Sequence, residues 1–227
     1  MIIKLADEIC KISNLHLDYL SDRRKAKELY EKGIECLLFS SDNPVRKIVF
    51  DCQGIMSASS SFIDELLFIN MFRANYQHGN SVLLLTNLEE EFYFDVRSAV
   101  EGKKKLIEEA KKSKRYFLTI DQMHAQFPDG FLEKGSISPY QVGSPYLLCE
   151  YQKVVEVVGF SEGEKQKLLL EDIVRKGIRF TSSMLAKREN ISCTAANNRL
   201  NRLHEKCLIF RGYTDMDSSE KFEYFYI

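Results

Sequence analysis

The chain has 227 residues, of which 44% are hydrophobic and 11% aromatic, enough to build packed cores in one large domain or two modest ones. Its formal net charge is -1, so the local distribution of charge says more about partners than the total does. No apolar run approaches the roughly 20 residues that cross a bilayer, the N-terminal MIIKLADEICK lacks the apolar centre of a signal peptide, and the six cysteines form no C-x-x-C pairs. We therefore expect a cytoplasmic protein with no membrane partner, no disulfides and no bound metal.

Apolar runs and helical patterns alternate along the first half of the chain. The predicted strands cover residues 1–6, 10–17, 48–52, 81–85 and 116–120. The predicted helices cover residues 22–39, 61–76 and 89–114. This order predicts an α/β fold in which a mixed, partly parallel sheet is covered by helices.

The middle of the chain carries weaker patterns. Residues 121–145 contain several prolines and glycines, which predict a loop with short strands. Residues 146–158 fit either a strand pairing or a connector helix, and the residues alone leave both open. We place a domain boundary near residues 159–163. The predicted organisation is an α/β domain over residues 1–121, a connector or extension over 122–160, and a second domain over 161–227.

Residues 47–68 predict a buried strand, a loop of small residues and a helix headed by Ser59, Ser60 and Ser61. A helix start offers unpaired N–H groups and partial positive charge, which suit an anionic group. A phosphate on one of these hydroxyls would add about two negative charges and change a protein contact. The alternative is purely structural, because Ser61 and Asp64 fit the S-x-x-D pattern of a capping box.

The same residues resemble a known family. A strand ending in Asp51, a loop and the run S-S-S-F-x-D-E-L are similar to STAS-like domains, relatives of the bacterial anti-sigma-factor antagonists. When Asp51 is aligned with the acidic residue that ends the family's strand, Ser59 takes the place of an aspartate, Ser60 that of the phosphorylated serine, and Phe62 that of a glycine. The resemblance covers roughly the first hundred residues. It implies phosphorylation or partner binding at this helix start, with a histidine-kinase-type ATPase as the partner.

The C-terminal region predicts three helices followed by a hairpin. The helices cover residues 164–175, a short segment capped by Thr181 or Ser182, and a longer segment from Ser192 to Cys207 whose inward face is Ala196, Leu200 and Leu203. Two strands then follow, one beginning at Leu208 and one over residues 221–227. The runs F-T-S-S-M-L-A-K, I-S-C-T-A-A-N-N-R-L and L-I-F-R resemble the winged helix-turn-helix family, which implies binding to double-stranded DNA.

The charge distribution agrees with this resemblance. Residues 175–211 contain nine Lys and Arg residues but only two acidic residues, so the local field is positive and suits phosphate contacts. The residues expected to face outward from the third helix and contact bases are Thr194, Asn197, Asn198 and Arg202. Those expected to contact phosphates are Arg188, Ser192 and Arg211. A protein-docking or dimerising winged helix is the alternative.

Enzymatic interpretations find little support in the residues. The four histidines lie far apart, no glycine-rich phosphate motif is present, and Ser60 lacks the G-x-S-x-G flanks of a nucleophile. Asp51, Asp64 and Glu65 could hold a divalent ion, but strand-end and capping acids are the commoner explanation. We expect no enzymatic activity and no cofactor.

The prediction is a bacterial-type transcriptional regulator in which a STAS-like module senses a protein partner or an anionic signal. Homodimerisation is left open. The alternatives are a signalling adaptor of a stress or phage-defence operon that does not bind DNA, and a nucleotide-sensing Rossmann-like regulator.

Overall fold

A computed structural model describes residues 1–12, 16–39, 47–70, 82–112, 147–159, 163–205, 208–214 and 222–226. The predicted strand at residues 116–120, the predicted loop at residues 121–145 and the last residues of the helix predicted at 61–76 lie outside the described residues.

The first half alternates strands and helices, as expected. Its elements are β1 (Ile2–Lys4), α1 (Leu5–Cys10), α2 (Arg23–Leu29), a π-helical turn (Tyr30–Ile34), α3 (Glu35–Phe39), β2 (Lys47–Asp51), α4 (Ser60–Ile63), a π-helical segment (Asp64–Asn70), β3 (Val82–Thr86) and α5 (Glu90–Lys112). Two further strands follow, β4 (Leu147–Tyr151) and β5 (Val154–Val158). The helix predicted over residues 22–39 is therefore one run of helical turns, capped at Asp22 by a hydrogen bond from the Arg24 N–H.

The strand predicted at residues 10–17 is wrong where the structure describes it. Leu5, Ile9 and Ile12 are all buried, and their spacing of four and three residues places them on one side of a helix rather than of a strand. Leu5 accordingly begins α1 directly after a strand of only three residues.

The open choice at residues 146–158 is resolved in favour of strands. β4 and β5 form an antiparallel hairpin in which Tyr151 pairs with Val154. The two turn residues, Gln152 and Lys153, both have positive φ, 49° and 64°. Two consecutive residues in that conformation match the twist of the flanking strands in a tight hairpin.

The five strands form one mostly parallel sheet in the order β1-β2-β3-β4-β5, with only β5 antiparallel. A sheet whose parallel strands are added in one direction by right-handed crossovers receives its helices on one face. The larger hydrophobic cluster agrees with this rule, because it joins Ile48, Phe50 and Leu85 of the sheet to residues of α1, α2, α4 and α5. The apolar residues on the second face of the sheet would therefore be exposed to solvent unless another part of the chain packed on them.

The residues after Gly163 pack on this second face. They form α6 (Glu164–Val174), β6 (Phe180–Thr181), α7 (Ser182–Glu189), α8 (Cys193–Glu205), β7 (Phe210–Tyr213) and β8 (Phe222–Phe225), and the three strands make a second, antiparallel sheet in the order β6-β8-β7. We call these described residues the C-terminal unit. Its buried residues share one hydrophobic cluster with Val82, Leu84 and Leu148, whose side chains lie on the face of the large sheet opposite to α5.

The core of the C-terminal unit follows the helical spacing in its sequence. Ala196, Leu200 and Leu203 are fully buried, as predicted. Thr181 caps α7 through a hydrogen bond from the Met184 N–H to its hydroxyl, and Asn190 ends that helix in the left-handed conformation with φ of 52°.

Candidate nucleic-acid interface and serine helix start

Three of the residues predicted to contact DNA bases lie on the exposed side of α8. Thr194, Asn198 and Arg202 are exposed, while Ala196 and Leu200 point into the core. A spacing of four residues places Thr194, Asn198 and Arg202 in one row along the helix. This row was predicted from the sequence, and the structure leaves it open to solvent.

Asn197 is placed differently from the prediction. Its side-chain oxygen lies 3.2 Å from the Ser182 hydroxyl, which donates to it, and 3.2 Å from the Tyr224 hydroxyl. These contacts fix α8 to the start of α7 and to β8, so the side chain of Asn197 is turned toward the protein. The sequence pattern predicted an outward-facing Asn197, because helical spacing cannot show that a polar side chain bonds to residues of other elements.

Ser192 also has a structural role. Its hydroxyl accepts a hydrogen bond from the Ala195 N–H at 3.1 Å, which caps the first turn of α8. The hydroxyl is exposed, so the cap still lies at the surface where a phosphate contact was predicted.

About half of the cations in this region are neutralised within the protein. Arg188 contacts Asp172 at 2.7 Å and lies over the Phe180 ring, Arg179 contacts Glu223 at 2.7 Å, and Lys176 contacts Asp172 at 2.6 Å. Hydrogen bonds from Lys176 and then Arg188 lower the pKa of Asp172, so that carboxylate is held in its charged form. The remaining pairs join Arg199 to Glu189 and, through its guanidinium, to the Gln166 side chain and the Lys165 carbonyl.

Four other cations have exposed side chains and no ion pair within the described residues: Arg175, Lys187, Arg202 and Arg211. Arg211 lies over the ring of Phe222, with its guanidinium carbon 4.6 Å from the ring centre, and this contact leaves the hydrogen-bond donors of the guanidinium available. The positive field predicted from residues 175–211 is therefore concentrated on fewer groups than the sequence count indicates.

The pairing register shows which way the β7–β8 hairpin faces. Arg211 is opposite Tyr224 and Tyr213 is opposite Phe222, and directly opposite residues in an antiparallel ladder share a face. The Tyr224 hydroxyl donates to Asn201 of α8 at 2.6 Å. Arg211 and Tyr213 thus lie on the hairpin face that is turned toward α8.

His204 lies at the inner end of this region. It is buried, its Nδ1 lies 3.3 Å from the Ile209 carbonyl oxygen, and its ring packs edge-on against Tyr224. Burial lowers its pKa, and the nearby Arg211 acts in the same direction. A neutral imidazole is the form that this position accommodates.

At the serine helix start, the capping residue is Ser59 rather than Ser61. The Ser59 hydroxyl accepts from the Phe62 N–H at 3.2 Å and lies 3.1 Å from the Ser61 hydroxyl. The predicted capping box is therefore wrong, because the helix cap lies two positions before Ser61. Three consecutive serines all fit a cap, so residue spacing alone could not identify which one it is. Ser60 is exposed, and its hydroxyl makes no hydrogen bond within the described residues.

Asp64, predicted as the second half of that capping box, is instead part of a partly buried charge network. Its two oxygens contact Arg23 at 2.9 Å and Lys103 at 2.7 Å, while Arg23 also contacts Glu65 at 3.0 Å. Two cations therefore neutralise the two carboxylates that were considered as ligands of a divalent ion. No group of three or more potential metal ligands occurs in the described ranges.

The loop before the helix is fixed on two sides. Ser59 N–H donates to the Leu20 carbonyl at 2.8 Å, and the Asp95 carboxylate of α5 accepts from both the Ser57 hydroxyl and the Ala58 N–H. Asp51 ends β2 and accepts hydrogen bonds from the Gln53 N–H and the Asn87 side chain. Asp51 is thus bonded to its own loop and to Asn87, whereas the serine loop is bonded to Leu20 and Asp95.

Comparison with known proteins gives no match to this chain among protein-family models, curated proteins or solved structures. Of the helices in the described part of the chain, none combines the length and the apolar character that crossing a membrane requires.

Proposed function

We propose that this protein is a DNA-binding regulator whose C-terminal unit binds double-stranded DNA and whose N-terminal half receives a signal at the serine helix start. The observation that carries the first part is the exposed row Thr194, Asn198 and Arg202 on α8. Arg211, which has no ion pair in the described part of the chain, lies on the hairpin face turned toward the same helix. These features support the proposal that the C-terminal unit acts as a winged helix-turn-helix domain, a class in which a helix enters the major groove and a hairpin lies alongside.

The contacts assign roles to these residues. Asparagine pairs with adenine and arginine with guanine through two hydrogen bonds, so Asn198 and Arg202 are the base-contacting candidates, with Thr194 beside them. Lys187 and Arg211 contact phosphates. Ser192, Asn197 and Arg188 support this surface from within the protein: Ser192 caps α8, Asn197 fixes it to β8, and Arg188 contacts Asp172.

The salt dependence of binding tests this proposal. With Lys187 and Arg211 neutralising two phosphates, the logarithm of affinity should fall with the logarithm of salt with a slope of about -1.8. That slope corresponds to about a 12-fold loss of affinity between 50 and 200 mM salt, measured by fluorescence anisotropy with a labelled duplex.

A pair of arginine variants gives the matched comparison. Arg211→Gln should reduce the magnitude of the slope by about 0.9, since one phosphate contact is lost. Arg179→Gln is the control, because Arg179 is paired with Glu223 and should leave the slope unchanged. Absence of binding at 50 mM salt, or a complex whose affinity does not change with salt, would refute the DNA-binding proposal.

The second part of the proposal places the signal at Ser60. Ser59 and Ser61 hydrogen-bond each other and Ser59 caps the helix, whereas Ser60 is exposed and its hydroxyl is available. We propose Ser60 as the phosphorylated residue and a histidine-kinase-type ATPase as the partner, in keeping with the STAS-like resemblance. Mass spectrometry of protein purified from its natural host should find phosphate on Ser60, and Ser60→Ala should abolish partner regulation of DNA binding.

A packed apolar contact joins the N-terminal half to the C-terminal unit, and this contact can couple a signal in one to a change in the other. Val82, Leu84 and Leu148 of the large sheet are buried in one cluster with Leu169, Ile173 and other residues of the C-terminal unit. A change in the sheet layer can therefore alter the position of α8 without a long linker.

A protein-docking adaptor is the second candidate. Met184 at the start of α7 is 52% exposed and Tyr213 on the hairpin is 77% exposed, and exposed large side chains of this kind are typical of protein contacts. A salt-insensitive complex with a protein partner, together with no affinity for duplex DNA, would favour this alternative.

The nucleotide-sensing alternative receives less support from the fold. Open α/β sheets bind nucleotides where the strand order reverses, and the strands that the structure describes follow one another in sequence order without a reversal. We therefore do not carry it further.

A further inference from the structure

A cleft of about 220 Å³ lies where the two layers of the protein meet. One wall is the β4–β5 hairpin of the large sheet, and the other is α6, the first helix of the C-terminal unit. Any molecule bound here would contact both layers at once.

The floor of the cleft is apolar. Leu148, Val155 and Val157 line it from the sheet, and Leu170 and Val174 line it from α6. The opposite face of the same hairpin is fixed elsewhere, because Tyr93 of α5 stacks on Tyr151 at 4.1 Å and donates a hydrogen bond to Glu156. The hairpin wall is thus a firm, mostly hydrocarbon surface.

Charged side chains line the α6 side of the cleft. Lys167, Glu171 and Arg175 follow one another at intervals of four residues, so they share one side of the helix. None of the three forms an ion pair within the described residues, and Lys167 and Arg175 are exposed. Glu156 also belongs to the lining, but its carboxylate accepts a hydrogen bond from Tyr93 on the opposite face of the hairpin. The α6 side of the cleft carries two cations and one carboxylate, and this net positive charge favours an anion over a cation.

We propose that the cleft binds a small carboxylic acid with an apolar body. The carboxylate contacts Lys167 and Arg175, and the apolar body lies on the valine and leucine floor. Ligand sites combine these features, an apolar lining with a few convergent polar groups, and they occur preferentially between domains. The volume fixes the size class, since a cavity of about 150 Å³ already holds benzene. The binding itself goes beyond the proposed function, whereas its use as a regulatory signal would rest on that function.

The test uses the full chain and 3-phenylpropanoate as the probe, which joins a benzene ring to a short carboxylate arm. Titration is followed through the methyl NMR signals of Leu148, Val157 and Val174. We expect saturable shifts of these methyls with 3-phenylpropanoate. Its neutral amide should bind about ten-fold more weakly, since it loses charge-assisted hydrogen bonds, and acetate should not saturate because it lacks the apolar body.

Two pairs of variants separate the proposed site from a general surface effect. Lys167→Gln and Arg175→Gln should each weaken binding about ten-fold, while Lys165→Gln, an exposed lysine of α6 that does not line the cleft, should leave it unchanged. Val174→Phe should fill the cleft and abolish binding, while Leu168→Phe, at a residue 52% exposed on the same helix and outside the lining, should not. The glutamine variants remain informative if Val174→Phe does not fold.

The proposal is overturned if 3-phenylpropanoate causes no saturable shift, if the amide binds as well as the acid, or if Lys165→Gln weakens binding as much as Lys167→Gln. This measurement contains no DNA, and the salt titration above contains no acid. A failure of one proposal is therefore distinguishable from a failure of the other.

Discussion

The contact between Asp64 and Lys103 gives the sharpest test of the forces that hold the serine helix start in place. The Lys103 side chain is only 4% exposed, and its ammonium lies 2.7 Å from an Asp64 oxygen. Asp64→Ala leaves that ammonium buried without its carboxylate, which typically costs about 3–5 kcal/mol of unfolding free energy. Arg23 loses less, because it is 42% exposed and keeps Glu65 at 3.0 Å. Urea unfolding of the full chain measures the loss.

A double-mutant cycle separates the pair from its surroundings. Lys103→Met removes the cation but keeps the aliphatic stem, and Asp64 then retains Arg23 at 2.9 Å, so the single change should cost less than Asp64→Ala. The double variant should be more stable than the sum of the two losses predicts, by about 1–3 kcal/mol.

The matched control is the pair of Glu101 and Lys104 on the same helix, where Glu101 is 57% exposed. Glu101→Ala should change the unfolding free energy by no more than about 0.5 kcal/mol, as is usual for surface pairs. The reasoning fails if Asp64→Ala costs no more than Glu101→Ala, or if the losses at Asp64 and Lys103 simply add.

Three further predictions concern other parts of the fold. Leu84→Ala, at a residue 5% exposed between the large sheet and the C-terminal unit, should cost about 2–5 kcal/mol and leave a single urea transition; two separate transitions would contradict the shared core. His204 has a folded-state pKa below its ordinary value of 6.5, so its contribution to stability is present above pH 6.5 and is lost as the pH falls, by up to about 1.4 kcal/mol per pH unit. Unfolding between pH 5 and 7 should show this loss in the natural protein and a flatter profile in His204→Gln, and identical profiles would argue against it. Ser59→Ala should cost about 1 kcal/mol through loss of the helix cap, whereas Ser60→Ala should stay within about 0.5 kcal/mol, and equal losses would contradict the assignment of the cap.

Most of the regular elements could be predicted from sequence periodicity. The inward residues Ala196, Leu200 and Leu203 recur at helical spacing, and Val82 to Leu85 form an uninterrupted apolar run typical of a strand buried on both faces. These patterns are local, so the sequence alone carries them.

The candidate sites were less predictable, because they depend on contacts between residues distant in sequence. Arg188 and Lys176 converge on Asp172, and Arg23 pairs with Asp64 across 41 positions of the chain. A count of local charges cannot show such neutralisation. Asn197 illustrates the same point for a polar residue, since its partner Tyr224 follows it by 27 positions.

The strand order has a consequence for any attempt to rebuild this protein from parts. The strands are added to the sheet in one direction, so the helices between them pack on one face. The residues after Gly163 cover the other face. Replacing them by an unrelated DNA-binding module on a flexible linker would expose Leu84 and Leu148 to solvent. The resulting apolar surface would favour self-association of the chimera. A working chimera would have to transplant the valine and leucine surface together with the helices that rest on it.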